Sequence, residues 1–156
     1  MKNTSFILHS STLLVLKLRG TQDKSQMKSV KTVHQVLESQ LGTPLELLVT
    51  IPQDPTAKKI PITIVLGIQS KSSHLSTLCC YHYCIPNRNG NEIFGTALLD
   101  TNNDWILDVT RQAATAVSKK FHRPCYVAWS APQDHQYNSV EQTYVVKQCL
   151  DYIKNL

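Results

Sequence analysis

The stretches EIFGTALL (residues 92–99) and RPCYVAWS (residues 123–130) decide the fold of this chain. Both are rich in the β-branched and aromatic residues that favour strands. Between them, apolar residues recur at helical spacing, and a second apolar stripe follows a Ser-x-x-Gln capping box at residues 139–142. The stripes are formed by Ile106, Val109, Ala113, Ala116 and Val117, and by Val145, Cys149, Tyr152 and Ile153. The last third of the chain is therefore predicted to run strand, helix, strand, helix.

Upstream of this unit, three apolar runs predict further strands, at residues 45–51, 60–68 and 75–85. Residues 52–59 hold two prolines and an aspartate and predict a loop, and Asn89-Gly90 is a strong signal for a β-hairpin turn.

The first 41 residues are read as two short strands, a loop and a helix. The strands are predicted at residues 5–9 and 12–18, and the loop at residues 20–26. Residues 29–41 have apolar side chains at helical spacing, although their β-branched residues also allow a strand. We predict a helix there.

These elements predict one α+β domain over residues 1–156: a mostly antiparallel sheet or sandwich of about six strands, flanked by two or three helices. In the run at residues 60–68, Ile62, Ile64 and Leu66 share one face, yet Val65 on the other face is apolar too. Two or three helices cover one face of such a sheet. We therefore expect the second face to close on itself or to be covered by another subunit.

Charge and cysteine content narrow the function classes. The net charge is +5, but no basic run exceeds the pairs Lys58-Lys59 and Lys119-Lys120, which disfavours nucleic-acid binding and suits an acidic protein surface equally well. Five cysteines without a convincing signal peptide favour reduced thiols in the cytoplasm or the nucleus. No apolar run is long enough to span a bilayer, so no membrane association is expected.

Candidate chemical sites have simpler structural interpretations. Cys80, His82 and Cys84 share one face of a predicted strand at a spacing awkward for tetrahedral zinc. Cys125 follows a proline at a strand start and does not lie at a helix N-terminus, which would lower its pKa. Asp100, Asp104 and Asp108 gather where a helix dipole favours carboxylates, and Thr101 with Asp104 approximates a capping pair. We therefore predict buried structural thiols and no catalytic, metal or cofactor site.

Six segments carry a resemblance to a known family: ITIVLGI (62–68), HLSTLCCYHY (74–83), GTALLD (95–100), AATAVSKKFHRP (113–124), CYVAWSAP (125–132) and TYVVKQCLDYIKNL (143–156). In pattern and order they resemble the proteasome assembly chaperone 4 family and its fungal counterparts. The resemblance implies a small non-enzymatic α+β protein that pairs with a second small chaperone of similar fold. It further implies that the pair helps α subunits of the core proteasome form a ring and leaves before maturation.

The function predicted from these observations is that of an assembly chaperone acting as half of a heterodimer, with core proteasome α subunits as its clients. Partner contacts are predicted at Ile62, Ile64, Leu66, Leu78, Tyr81, Lys58, Lys59 and, in the polar loop at residues 131–138, Tyr137. Two alternatives remain open: a generic dimeric adaptor, and a thiol- or metal-dependent enzyme using Cys80, Cys84 or Cys125.

Overall fold

A computed structural model describes residues 29–37, 44–68, 76–88, 92–132 and 142–156. These residues form six strands and two helices: β1 (Val30–Leu37), β2 (Leu45–Pro52), β3 (Ile62–Ile68), β4 (Thr77–Pro86), β5 (Ile93–Leu99), α1 (Asp104–Phe121), β6 (Cys125–Ala131) and α2 (Gln142–Lys154). The predicted loop and strands at residues 5–26 lie outside the described residues, as does Ser139 of the predicted capping box.

The six strands form a single sheet in the order β1-β2-β3-β6-β4-β5. Neighbours pair antiparallel, except that β3 and β6 run parallel in the middle of the sheet. The predicted α+β class and mostly antiparallel sheet are confirmed. The five strands predicted between residues 45 and 130 are also found, with ends shifted by one or two residues; β3, for example, begins at Ile62 because Ile60 and Pro61 still belong to the preceding loop.

The helix predicted over residues 29–41 is wrong, because residues 30–37 form strand β1. β1 pairs antiparallel with β2 along its whole length, from Val30 opposite Pro52 to Leu37 opposite Leu45. The hydroxyl oxygens of Thr32 and Thr50 lie 3.0 Å apart across this pair. The β-branched residues of the segment suit this pairing, and they outweigh the apolar spacing that suggested a helix.

The N-cap of helix α1 is not the residue that the sequence suggested. Its N-cap is Asn103, whose Oδ1 accepts a hydrogen bond from the Ile106 backbone N–H at 3.1 Å. Thr101 is not the cap; its hydroxyl oxygen accepts from the Asn103 N–H at 3.3 Å and thereby fixes the capping residue. Asp104 in the first turn, with Lys119 and Lys120 in the last, complements the helix dipole as expected.

Both helices lie on the same side of the sheet. α1 packs on β4, β5 and β6, and α2 packs against α1. The apolar side chains at alternate positions of the sheet pack against the helices and form one core cluster. Its largest fully buried side chain is Trp129, whose ring contacts the ring of Trp105 edge to face, with the centroids 5.2 Å apart. We call this side of the sheet the covered face and the other side the open face.

Gly95 in β5 lies close to side chains of the covered face. A Cβ atom there would lie 2.8 Å from Cys84 Sγ and 3.0 Å from His82 Nε2, whereas at Gly67 in β3 it would lie 3.8 Å from its nearest neighbour, the Glu46 Cβ. We expect Gly95→Ala to lower the free energy of unfolding by about 1–3 kcal/mol, because the buried neighbours must shift. Gly67→Ala is the matched control and should change stability little. Thermal unfolding of the purified proteins measures both, and equal midpoints would contradict the tight packing.

The buried imidazole of His82 predicts acid sensitivity. Burial and the nearby Arg111 lower its pKa below the ordinary value of 6.5, with a smaller opposing effect from Asp100, and Nδ1 has no hydrogen-bond partner among the described residues. As the pH falls through about 6.5, the unfolded chain takes up a proton that the folded chain resists, so the free energy of unfolding should decrease. The wild-type unfolding midpoint should drop more between about pH 7.5 and pH 5.5 than that of His82→Leu. Parallel pH profiles would show that His82 does not contribute.

Candidate functional site: the open face of the sheet

The cysteines proposed for an enzyme alternative lie in the core. Cys80 and Cys84 point toward α1 on the covered face; Cys84 Sγ lies 3.6 Å from the Thr115 hydroxyl oxygen. Burial raises the pKa of Cys80, Cys84 and Cys125 above the ordinary thiol value. A buried thiol with a raised pKa is a poor nucleophile, because the thiolate is the reactive form. The arrangement therefore fits the structural thiols predicted from the sequence.

No metal centre is formed by the residues described: none of their His, Cys, Asp and Glu side chains gather in a group of three that could hold an ion. The three aspartates around the start of α1 have other partners or roles. Asp100 accepts a hydrogen bond from the Thr101 N–H at 2.8 Å, and Asp108 forms an ion pair with Arg111 at 2.7 Å. Neither described helix is long and apolar enough to cross a membrane.

The open face is unusually apolar for a solvent-facing surface. Strand register and alternation place side chains from all six strands on it. Phe94 is 57% exposed, Leu78 51% and Leu48 39%. The other apolar or aromatic side chains of this face are Val30, Val36, Val65, Tyr81, Tyr83, Ile85, Leu99 and Tyr126. Charged side chains are sparse here among the described residues, with Glu46 at one end of β2.

A row of three tyrosines organises the centre of the open face. The Tyr126 ring of β6 stacks with Tyr83 at 4.5 Å and with Tyr81 at 5.7 Å, both from the adjacent strand β4. Burial, together with Tyr126, raises the pKa of Tyr81 and Tyr83, so their hydroxyl groups stay neutral near pH 7. Rigid aromatic side chains with a polar tip are enriched at protein–protein interfaces. The row places three such side chains at the centre of the open face.

The structure divides the predicted partner-binding residues. Ile62, Ile64 and Leu66 lie on the covered face, fully buried in the chain's own core, so the folded chain does not present them to a partner. Sequence alternation identified the two faces of β3 correctly but not which of them the helices cover. The apolar residue that β3 turns to the open face is Val65.

The remaining predicted residues are placed as follows. Leu78 and Tyr81 lie on the open face, directly opposite Ser130 and Ala128 of β6. Lys58 and Lys59 are exposed in the loop between β2 and β3. Tyr137 lies outside the described residues.

Four residues of the open face were not among the partner contacts predicted from the sequence: Leu48, Tyr83, Phe94 and Tyr126. Tyr83 shares the alternation of Tyr81, and Phe94 lies in a predicted strand, so period two alone could have included them. Leu48 and Tyr126 become part of the same surface only through the pairing of β2 with β3 and of β6 with β4.

Comparison with known proteins gives the family. A family model described as 20S proteasome chaperone assembly proteins 3 and 4 matches residues 21–154. Proteasome chaperone 4 of Saccharomyces cerevisiae is 38% identical over 141 residues, covering 80% of this chain and 95% of the relative. The fold is similar to a chain in the crystal structure of a novel chaperone complex for yeast 20S proteasome assembly, with a TM-score of 0.71, 41% identity, and coverage of 81% of this chain and 96% of that chain. The chain belongs to the family of 20S proteasome chaperone assembly proteins 3 and 4.

Proposed function

We propose that this chain is a non-enzymatic chaperone for assembly of the 20S core proteasome, working as half of a heterodimer with a second small chaperone. The pair promotes formation of the α-subunit ring and dissociates before the particle matures. The observation that carries the proposal is the open face: an apolar, tyrosine-centred sheet surface on a chain whose relatives are named for proteasome assembly.

The open face supports a protein partner on physical grounds. Exposed apolar side chains spread across all the strands of one sheet face form a contiguous surface, and soluble proteins rarely leave a large one in contact with water. A second chaperone of similar fold brings a sheet of its own. Packing two sheets face to face about 10 Å apart would bury both surfaces in a sandwich. The yeast structure similar to this chain is itself described as a chaperone complex, which supports pairing with another protein.

The non-enzymatic part of the proposal rests on the chemistry of the described residues. The thiols that could act as nucleophiles are buried, and their pKa is raised by that burial; for Cys149 it rises to about 12. Templating needs no reactive group, because holding two α subunits in the orientation of the ring lowers the cost of bringing them together. It also occupies surfaces that wrong partners would use.

All five cysteines are free, which supports a location in the cytoplasm, with the nucleus as a second location, since thiols stay reduced in both.

Proteasome α subunits are the clients in this proposal. A later subunit competing for the same contacts would release the chaperone without any nucleotide.

A charge introduced on the open face should break the heterodimer. Leu48→Glu and Phe94→Glu would each bury an unpaired carboxylate between the two sheets, so we expect affinity for the companion to fall about tenfold or more. Leu156→Glu, an exposed residue at the end of the chain and off the sheet, is the matched control. Co-expression with the companion followed by size-exclusion chromatography measures the one-to-one complex. A stable, unpaired monomer, or a complex that tolerates both sheet substitutions, would contradict the proposal.

Loss of the chain should affect assembly and leave catalysis in finished particles unchanged. Depletion should cause α-ring intermediates to accumulate or misassemble on native gels, because the template is missing. Peptide hydrolysis per mature particle should remain normal, since the chaperone has left by then. Unchanged precursors, together with no α subunit among the proteins that co-purify with the tagged chain, would leave only a generic adaptor role.

A further inference from the structure

The fold collects basic residues that are scattered along the sequence. At one end of the sheet, β2 and β4 finish and β3, β5 and β6 begin, as shown by the pairing of Cys125 with both Ile62 and Cys84 and of Pro86 with Ile93. Helix α1 also ends there, just before β6. We call this the basic end. Its charged residues are Lys31, Lys58, Lys59, Arg88, Lys119, Lys120 and Arg123, against Asp54 and Glu92.

The opposite end of the sheet carries negative charge. There β2 and α1 begin and β5 ends, and the charged residues described at that end are Glu46, Asp100 and Asp104. The pairing of Glu46 with Gly67, near the end of β3, places Glu46 at the same end as the start of α1. The described part of the molecule is therefore electrically polarised along its strands. Such a separation orients an approaching charged partner before contact.

The loop that carries Lys58 and Lys59 is held by several hydrogen bonds. Arg123, which is buried, donates hydrogen bonds from its guanidinium to the backbone carbonyls of Ala57 and Pro55. Asp54 accepts from the Thr56 N–H at 2.8 Å and from its hydroxyl at 2.6 Å. Because its guanidinium is hydrogen-bonded to the loop backbone, we assign Arg123 a structural role at the basic end and not a contact with a partner. The two lysines thus project from a loop whose backbone is hydrogen-bonded to the rest of the fold.

The exposed lysines of the basic end form no ion pair with another described residue. No carboxylate of the described residues lies within ion-pair distance of Lys58, Lys59, Lys119 or Lys120. Most of these cations are lysines, which act as point charges; Arg123 faces inward, and Arg88 is an exposed arginine at this end. Lysine attracts carboxylate and phosphate alike as a point charge, so the test below compares an α subunit with duplex DNA.

We propose that the basic end is a second interaction surface, separate from the open face, and that it docks a carboxylate-rich surface of a folded proteasome α subunit. The inference rests on the proposed function, which supplies the class of partner. The two surfaces divide the work: the open face holds the companion chaperone, and the basic end, with the exposed last turn of α1, meets the client. Long-range attraction speeds encounter, and salt weakens it.

The test uses the heterodimer, with recombinant α subunits immobilised one at a time as probes. Lys58→Glu combined with Lys59→Glu reverses the loop charges, and Lys119→Gln with Lys120→Gln neutralises the helix end. Arg111→Glu combined with Lys147→Glu, exposed in the first half of α1 and the middle of α2, changes the net charge as much as the loop variant and is the control. Size-exclusion chromatography first verifies that each variant still forms the one-to-one heterodimer.

We expect the loop variant to associate with its α subunit about tenfold more slowly at low salt, and the helix-end variant to show a smaller loss. The control should stay within about twofold of wild type, and the differences should shrink at about 0.5 M salt as the charges are screened. Equal rates for the loop variant and the control would overturn the inference, as would tighter binding of a duplex DNA oligonucleotide than of any α subunit. Failure of the wild-type heterodimer to capture any α subunit would instead overturn the proposed function.

Discussion

Two helices cannot cover both faces of a six-stranded sheet, and this limit shapes everything else in the described structure. Because α1 and α2 lie on the same side, the apolar residues of alternate positions sort into two classes. One class is buried with Trp129 in the core, and the other faces outward around Tyr126. The stability of the chain comes from the first class. The second class is costly to leave in water, and association with another protein removes that cost.

The strand positions were predictable because local pattern and final structure agree there. Residues 92–99, 60–68 and 123–130 combine β-branched or aromatic residues with clear turn signals, and each becomes a strand. The same reasoning failed at residues 29–41, where apolar spacing suggested a helix. That segment forms an edge strand whose stability depends on pairing with β2, a distant contact that local spacing does not report.

Which face of the sheet stays open was harder to predict than the strands themselves, for a physical reason. Period-two alternation identifies two faces of a strand, but only tertiary packing decides which face is covered. Ile62, Ile64 and Leu66 are more apolar than Thr63 and Val65, and the more apolar face is the one that the helices bury. The positive charges could not be predicted as a cluster from the sequence, because they are dispersed along it. The order of the strands brings them together at one end of the molecule.

The central position of β6 has a consequence for how the chain folds. β1, β2 and β3 can pair in sequence order, and so can β4 and β5, but the two antiparallel halves join only when β6 enters between β3 and β4. During synthesis, the inner edge of β3 must wait until α1 and β6 have been made. Non-local parallel pairing of this kind is slow, and an unpaired edge is prone to the wrong partners while it waits. A protein proposed to guide the assembly of others thus has an open edge of its own until β6 arrives.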